Sequence, residues 1–171
     1  MERRSDFMTT EEKLAVLEKQ EKELVFDSFS NHDALELGKT LADKLVGSER
    51  PIAIVIRIGE FTVFQYTMKG KEESHFGWSN KKANLVEQIG YSSMYGRIAH
   101  AQNGDYAEYD DGNEQYAFAC GAFPICTKSE GRIGVIGLSG LVDPEDHTVI
   151  VETIGEILGK KVEVLGADAL S

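Results

Sequence analysis

Apolar residues recur at helical spacing in five segments of the chain, most of them opened by a capping residue or closed by a glycine. The predicted helices run from Thr10 to about residue 22, from Ser30 to Gly47, from Trp78 to Ile89, from Ser92 to Gln102 and from Asp143 onward. Thr9 with Glu12, and Ser30 with Asp33, have the capping-box pattern. In the last helix, Asp143 is predicted to be the N-cap.

Runs of β-branched and apolar residues predict the strands. These runs cover 24–29, 51–58, 61–66, two short segments around Gly121 within 116–127, and 133–139. Only Gly59 and Glu60 separate the second and third runs, which is typical of a hairpin. Loops are predicted over 69–76 and over the acidic segment 103–115. Since hairpins outnumber βαβ crossovers, we expect an α/β fold with one mostly antiparallel sheet and helices packed on it.

Residues 9–22 are predicted to form a helix with a thin apolar stripe that includes Leu14 and Leu17. A helix of this length is marginal in water unless it packs on a partner surface. We see no obvious place for it on a compact sheet domain, and therefore expect it to brace a homo-oligomer.

The net charge limits the classes of partner that the protein is expected to bind. The 171 residues contain 18 basic and 29 acidic side chains, a net charge of -11. Such a surface repels phosphate backbones, so neither nucleic acid nor an anionic membrane is an expected partner. Cys120 and Cys126 are the only cysteines, too few for a disulfide framework without a secretory signal, and we expect a cytoplasmic protein. Both thiols are predicted to be buried apolar residues.

A basic spot adjoins the only tryptophan. Trp78 is followed within about one helical turn by Lys81, Lys82 and Asn84, which is unusual in so acidic a chain. The pattern fits a solvated helix face, and it also fits a site for an anion or carboxylate beside an aromatic ring.

Glycine occupies every third position from Gly131 to Gly140. The spacing is wrong for a dinucleotide fingerprint, and no phosphate-loop lysine follows. Gly134 and Gly137 therefore serve either close helix-on-sheet packing or the floor of a ligand site. Ser139 lies one residue out of register for a hydrolase elbow, which disfavours a serine nucleophile.

Helix capping does not explain why His147 occurs at the start of the last helix. The positive helix end favours a neutral imidazole, the form that ligates metals and haem iron. The alternative is a hydrogen-bonded structural histidine. Asp146 cannot orient His147 as in a catalytic triad, because adjacent helical residues point about 100° apart.

Three spaced blocks resemble the uncharacterised protein family number 303, a branch of the GlcG-like or HbpS-like haem-degrading domain group. The blocks are Trp78-x3-Lys82-x-Asn84-x-Val86-x3-Gly90-x-Ser92-Ser93, Gly121-x-Phe123-Pro124-Ile125, and Gly134-x2-Gly137-x-Ser139-Gly140-Leu141-x4-Asp146-His147. The resemblance implies a profilin-like sandwich with a five- or six-stranded sheet, homo-oligomers, and haem as a cofactor of some relatives. Ala122 stands where many members have a second glycine, a change that would narrow a pocket.

Together these observations predict an N-terminal helical extension over 1–22, a GlcG-like domain over 23–160 and a tail over 161–171. The expected function is an oligomeric small-molecule-binding domain, with haem or another planar or anionic molecule as ligand. The alternatives are an enzyme acting on haem or a small organic acid, and a non-catalytic scaffold. The residues expected to converge on one ligand pocket are Trp78, Lys82, Asn84, Phe123, Pro124, Ser139 and His147.

Overall fold

A four-stranded antiparallel sheet forms the centre of the molecule. The computed structural model describes residues 2–3, 8–70 and 73–171. The helices are α1 (Thr10–Glu23), α2 (Asn31–Lys44), α3 (Glu73–Ile89), α4 (Ser93–Asn103) and α5 (Glu145–Leu158). The strands are β1 (Glu2–Arg3), β2 (Ala53–Ile58), β3 (Phe61–Thr67), β4 (Ala122–Thr127), β5 (Gly131–Ser139) and β6 (Val164–Leu165). The sheet order is β3-β2-β5-β4, and β1 with β6 makes a separate parallel pair.

Most predicted elements are confirmed. Both capping boxes form, and Gly59 turns the β2–β3 hairpin with a φ of 58°. The α/β class and the antiparallel sheet are also confirmed. The sheet has four strands and not five or six, because the 24–29 run makes only one bridge, Phe26 to Thr127, and because residues 116–120 form no strand.

Strand alternation assigns the two faces of the sheet. Ile54, Ile136 and Leu138 belong to the main core, which α2 and α5 cover. Val135 and Ala122 contact the buried face of α3 on the opposite side. Gly137 allows this contact, since a Cβ there would lie 2.5 Å from the Ser79 carbonyl oxygen. At Gly137 the glycine run therefore serves helix-on-sheet packing.

The N-terminal helix packs on its own chain. Leu17 is fully buried in a second small core with Met94 and Ile98 of α4 and Leu165 of β6. The expectation that α1 has no place on the domain is wrong, because α4 and the C-terminal segment together provide that surface. The boundaries after residues 22 and 160 stay predictions.

Three local predictions need correction. Asp143 does not cap α5; its carboxylate accepts hydrogen bonds from Arg97 and from the Cys120 amide, and α5 begins two residues later. Cys126 is only half-buried, whereas Cys120 is buried. Helix α3 begins at Glu73, inside the predicted loop 69–76, of which residues 71 and 72 lie outside the described residues.

No helix among the described residues is long and apolar enough to cross a membrane.

Candidate functional site

A cleft of about 460 Å³ opens at the end of the sheet where β5 ends and β2 begins. Four chain segments supply its walls: the approach to β2, the middle of α3, the segment before β4, and the end of β5 with the turn that follows it. The lining residues are Arg50, Pro51, Trp78, Lys82, Ala119, Ser139, Gly140 and Leu141. Three of the seven predicted site residues, Trp78, Lys82 and Ser139, thus meet in one cleft.

Lys82 forms the charged floor of this cleft. Its Nζ donates hydrogen bonds to the Leu138 carbonyl oxygen and to Asp146 Oδ2, each at 3.0 Å. The Lys82 side chain is only 5% exposed and Asp146 is fully buried, so this ion pair links α3 to the start of α5 out of solvent. Burial raises the pKa of Asp146 to about 7, and the nearby Lys82 ammonium opposes that rise.

Two hydroxyl groups lie beside the lysine. Ser79 Oγ is 2.8 Å from Ser139 Oγ and 3.0 Å from the Ala53 carbonyl oxygen. Ser79 and Lys82 are three residues apart, so they share the buried face of α3. The pair places a polar, hydrogen-bonded wall next to the Lys82 amine.

The open side of the cleft is aromatic and cationic. Trp78 is half-buried and lines the cleft; Lys81 is not among the lining residues, although its Nζ lies 5.6 Å from the centroid of the Trp78 ring, within cation–π range. Arg50 is exposed at the rim. A planar or anionic molecule entering the cleft would meet an indole face and a guanidinium group.

The other predicted site residues do not line the cleft. Asn84 Oδ1 accepts a hydrogen bond from Arg57, and its amide donates to the Gln115 carbonyl oxygen. Phe123 is part of the main hydrophobic core. Pro124 follows it inside β4. The structure does not bring these residues into this cleft, and their side chains contribute to packing and to a hydrogen-bond network.

His147 points away from the cleft toward α1. Its Nε2 is 2.8 Å from Gln20 Oε1, and the Gln20 amide donates to the Glu163 carbonyl oxygen. Complete burial lowers the pKa of His147 to about 4, so the ring is neutral, with its proton on Nε2. Among the described residues, the buried Nδ1 has no hydrogen-bond partner. The contacts of His147 are those of a structural histidine, and iron ligation by His147 stays a prediction.

The side chains that line the cleft decide whether it could ligate haem iron. Haem iron is held in proteins by His, Cys, Met or Tyr side chains, and the described lining residues include none of these. The residues present therefore do not fit iron-ligated haem.

Arg50 and Asp146 are site residues that the sequence analysis missed. The sequence places Asp146 at the start of the last helix and in the third resemblance block, but it was not predicted as a site residue. The spacing of Ser79, Lys82 and Val86, all buried, is the signal that could have placed Lys82 on the inner face of α3 and called for a buried counter-charge. Arg50 precedes a strand by a few residues and carries no such signal.

The chain is similar to known proteins over most of its length. A model of haem-degrading proteins like HbpS matches residues 29–155. A UPF0303 protein of Mesorhizobium japonicum is 32% identical over 95% of this chain and 99% of its own. The solved structure of the Ybr137w protein has a TM-score of 0.77 at 25% identity, covering 85% of this chain and 87% of that one.

A double mutant of Streptomyces reticuli HbpS has a TM-score of 0.60 at 15% identity, covering 80% of this chain and 92% of that one, and shares the fold. These matches confirm the resemblance to uncharacterised protein family number 303. The chain therefore belongs to the HbpS-like family of haem-degrading proteins, and relatives that share about a third of its residues carry the name UPF0303 protein.

Proposed function

We propose that the chain is a small-molecule-binding domain whose cleft takes a small organic anion, a carboxylate in the first instance. The observation that carries this proposal is the buried Lys82 amine in the cleft floor, with Trp78 beside it and Arg50 at the rim. Lys82 and Asp146 form a buried charged pair, and such a pair next to a cleft is a candidate functional site.

The charges set the class of ligand. While Asp146 is ionised, its negative charge balances the positive charge of Lys82. Arg50 then supplies the excess positive charge of the cleft. Protonation of Asp146 adds the charge of Lys82 to that excess. A carboxylate suits both cations, because a guanidinium binds it in a bidentate manner and an ammonium binds it as a point charge.

Haem is the second candidate, favoured by the description of the family model. It would bind through its carboxylates and its planar ring against Trp78, without a protein ligand to the iron. If haem binds in this way, its absorption spectrum shows no histidine ligation of the iron. A purely structural scaffold predicts an empty cleft.

Calorimetric titration at low salt tests the anion proposal, using lactate, pyruvate, malate and phosphate as probes. At least one carboxylate is expected to bind the wild type. The double variant Lys82→Met with Asp146→Asn removes the ion pair together and is expected to abolish binding. Lys81→Met removes the same charge one position away, outside the lining, and serves as the matched control. Binding that survives the double variant, or no binding at all, would contradict the proposal.

We also propose that the chain forms a homo-oligomer through the edge strand β3. In the described part of the chain, β3 pairs on one side only. None of its residues is charged, and Phe61 and Tyr66 are 75% and 41% exposed. Uncharged exposed edges favour pairing with another strand. Light scattering should show an oligomer that Tyr66→Lys weakens, whereas Leu35→Lys, also at a 41% exposed position on α2, leaves it intact.

The two cysteines are unpaired, which supports the proposal of a reducing compartment such as the cytoplasm.

A further inference from the structure

Lys82 is the one amine among the cleft-lining residues that the structure describes, and its Nζ is fixed by two hydrogen bonds to the protein. An Nζ atom has four tetrahedral positions, of which one is its bond to Cε. The hydrogen bonds to Leu138 and Asp146 take two more. Because Lys82 lines the cleft, the remaining position is the one that a molecule in the cleft can reach.

Asp146 can accept the proton that such an amine must lose before it reacts. Asp146 Oδ1 already accepts the His147 amide hydrogen, which leaves Oδ2 in contact with Nζ at 3.0 Å. In a buried site, proton transfer within an ion pair removes two charges that solvent does not stabilise. The other charged group near Asp146 is Asp143, which is itself paired with Arg97 of α4.

We propose that Lys82 forms an imine with the carbonyl carbon of a small 2-oxo acid held in the cleft. This inference rests on the proposed anion-binding function, since Arg50 at the rim is the group that would hold the carboxylate. Trp78 flanks the site, and the Ser139 hydroxyl lies on the wall next to the residue whose carbonyl holds Nζ.

The step balances without any oxidant or reductant. Nζ passes a proton to Asp146, and rotation about the Cε–Nζ bond turns the freed lone pair toward the cleft, where it forms a C–N bond to the carbonyl carbon while the C=O π electrons move to the oxygen. Asp146 returns that proton to the oxygen, accepts a second proton from Nζ and passes it to the new hydroxyl group, so that the C–O bond breaks and the oxygen leaves as water with two of the three Nζ hydrogens. The remaining hydrogen stays on the iminium nitrogen, which keeps the positive charge, and Asp146 ends ionised as it began.

Reductive trapping tests this inference. The full chain is incubated with sodium cyanoborohydride and with pyruvate, glyoxylate or 2-oxoglutarate, and lactate serves as the non-carbonyl match to pyruvate. With at least one 2-oxo acid, the intact mass is expected to rise by the mass of that acid less one oxygen atom. Peptide mapping should place the adduct on Lys82, and lactate should give none.

Three variants sharpen the experiment. Lys82→Arg keeps the cation but cannot form the imine, so the adduct should be lost, while Lys81→Arg should retain it. Asp146→Asn leaves Lys82 protonated, so trapping should fall although lactate still binds. Reduced trapping with unchanged lactate binding would show that Asp146 accepts the proton of Lys82. A merely structural role of Asp146 would instead lower both.

The outcomes also separate this inference from the function beneath it. Binding of pyruvate and lactate without an adduct on Lys82 overturns the imine and leaves the anion site standing. Modification spread evenly over the lysines overturns it as well. If neither acid binds and nothing is trapped, the anion site fails and the imine fails with it.

Discussion

Asp146 and His147 are neighbours in the first turn of α5, both are buried, and they belong to two different regions of the molecule. Asp146 contacts Lys82 of α3, in the floor of the cleft. His147 contacts Gln20 of α1, in a closed interior that the C-terminal segment completes. Burial shifts their pKa values in opposite directions, upward for the acid and downward for the base.

The comparison indicates that a buried polar side chain such as Asp146 or His147 belongs to a ligand site only where its hydrogen-bond partner lines a cleft. Lys82 meets that condition, and Gln20 does not. His147 has the more suggestive chemistry in the sequence, yet the geometry makes it a packing residue. Lys82, which resembles an ordinary lysine of a solvated helix face, is the residue with access to a ligand.

The largest expected effect is on the cleft side. Lys82→Met leaves the Asp146 carboxylate buried without its cation, and should lower the free energy of unfolding by about 3–5 kcal/mol. Adding Asp146→Asn should restore much of that loss, as chemical denaturation of the single and double variants would show. A loss of less than about 1 kcal/mol would mean that the pair is solvated, as surface pairs are.

A smaller effect is expected on the closed side. Gln20→Leu removes the acceptor of the His147 ring proton and the donor to Glu163, and should cost about 1–3 kcal/mol of stability. Carboxylate binding, measured by calorimetry, should not change. A parallel loss of binding would show that the two regions are coupled and would break the comparison.

Measured over a single pH unit, the smallest effect is a pair of opposite pH trends. Asp146 holds its proton to about pH 7 when folded but loses it near 3.8 when unfolded, so its contribution to stability is lost as pH rises through that window. His147 gains its proton near 6.5 when unfolded but only near 4 when folded, so its contribution is lost as pH falls through that window.

Each trend has a slope on the order of 1 kcal/mol per pH unit. Glu21, whose pKa burial raises to about 8, adds a slope of the same sign as Asp146 in every variant. Differences from the wild type therefore isolate each residue. Denaturation from pH 4 to 8 should show that Asp146→Asn removes the first trend and His147→Gln removes the second. Parallel pH curves for wild type and variants would rule out the assigned pKa shifts.

Much of the fold could be predicted from the sequence because its signals are local. The capping boxes at Thr9 and Ser30 and the tight turn at Gly59 each depend on residues within a few positions. The strand count was wrong where pairing depends on distant residues: the 24–29 run is β-rich but finds only one bridge to β4. Asp143 illustrates the same limit, since Arg97 of α4 takes the carboxylate that was expected to cap α5.

The candidate site could be predicted only in part. Trp78 and Lys82 lie four residues apart, so their shared helix places both near the same cleft. Ser139 was found from the glycine run and the resemblance. Asp146 and Arg50 reach the cleft only through tertiary contacts. Asp146 is more than sixty residues from Lys82 in the sequence, and no local pattern predicts that the two side chains are in contact.

The most direct test of the anion site uses Trp78, the only tryptophan of the chain, which lies in the cleft wall. Its emission is followed during titration with lactate and pyruvate for the wild type, Arg50→Gln and Lys81→Gln. A saturable change that Arg50→Gln weakens and Lys81→Gln preserves is the predicted result. An emission spectrum that stays constant through the titration, or that responds equally in all three proteins, would contradict the account.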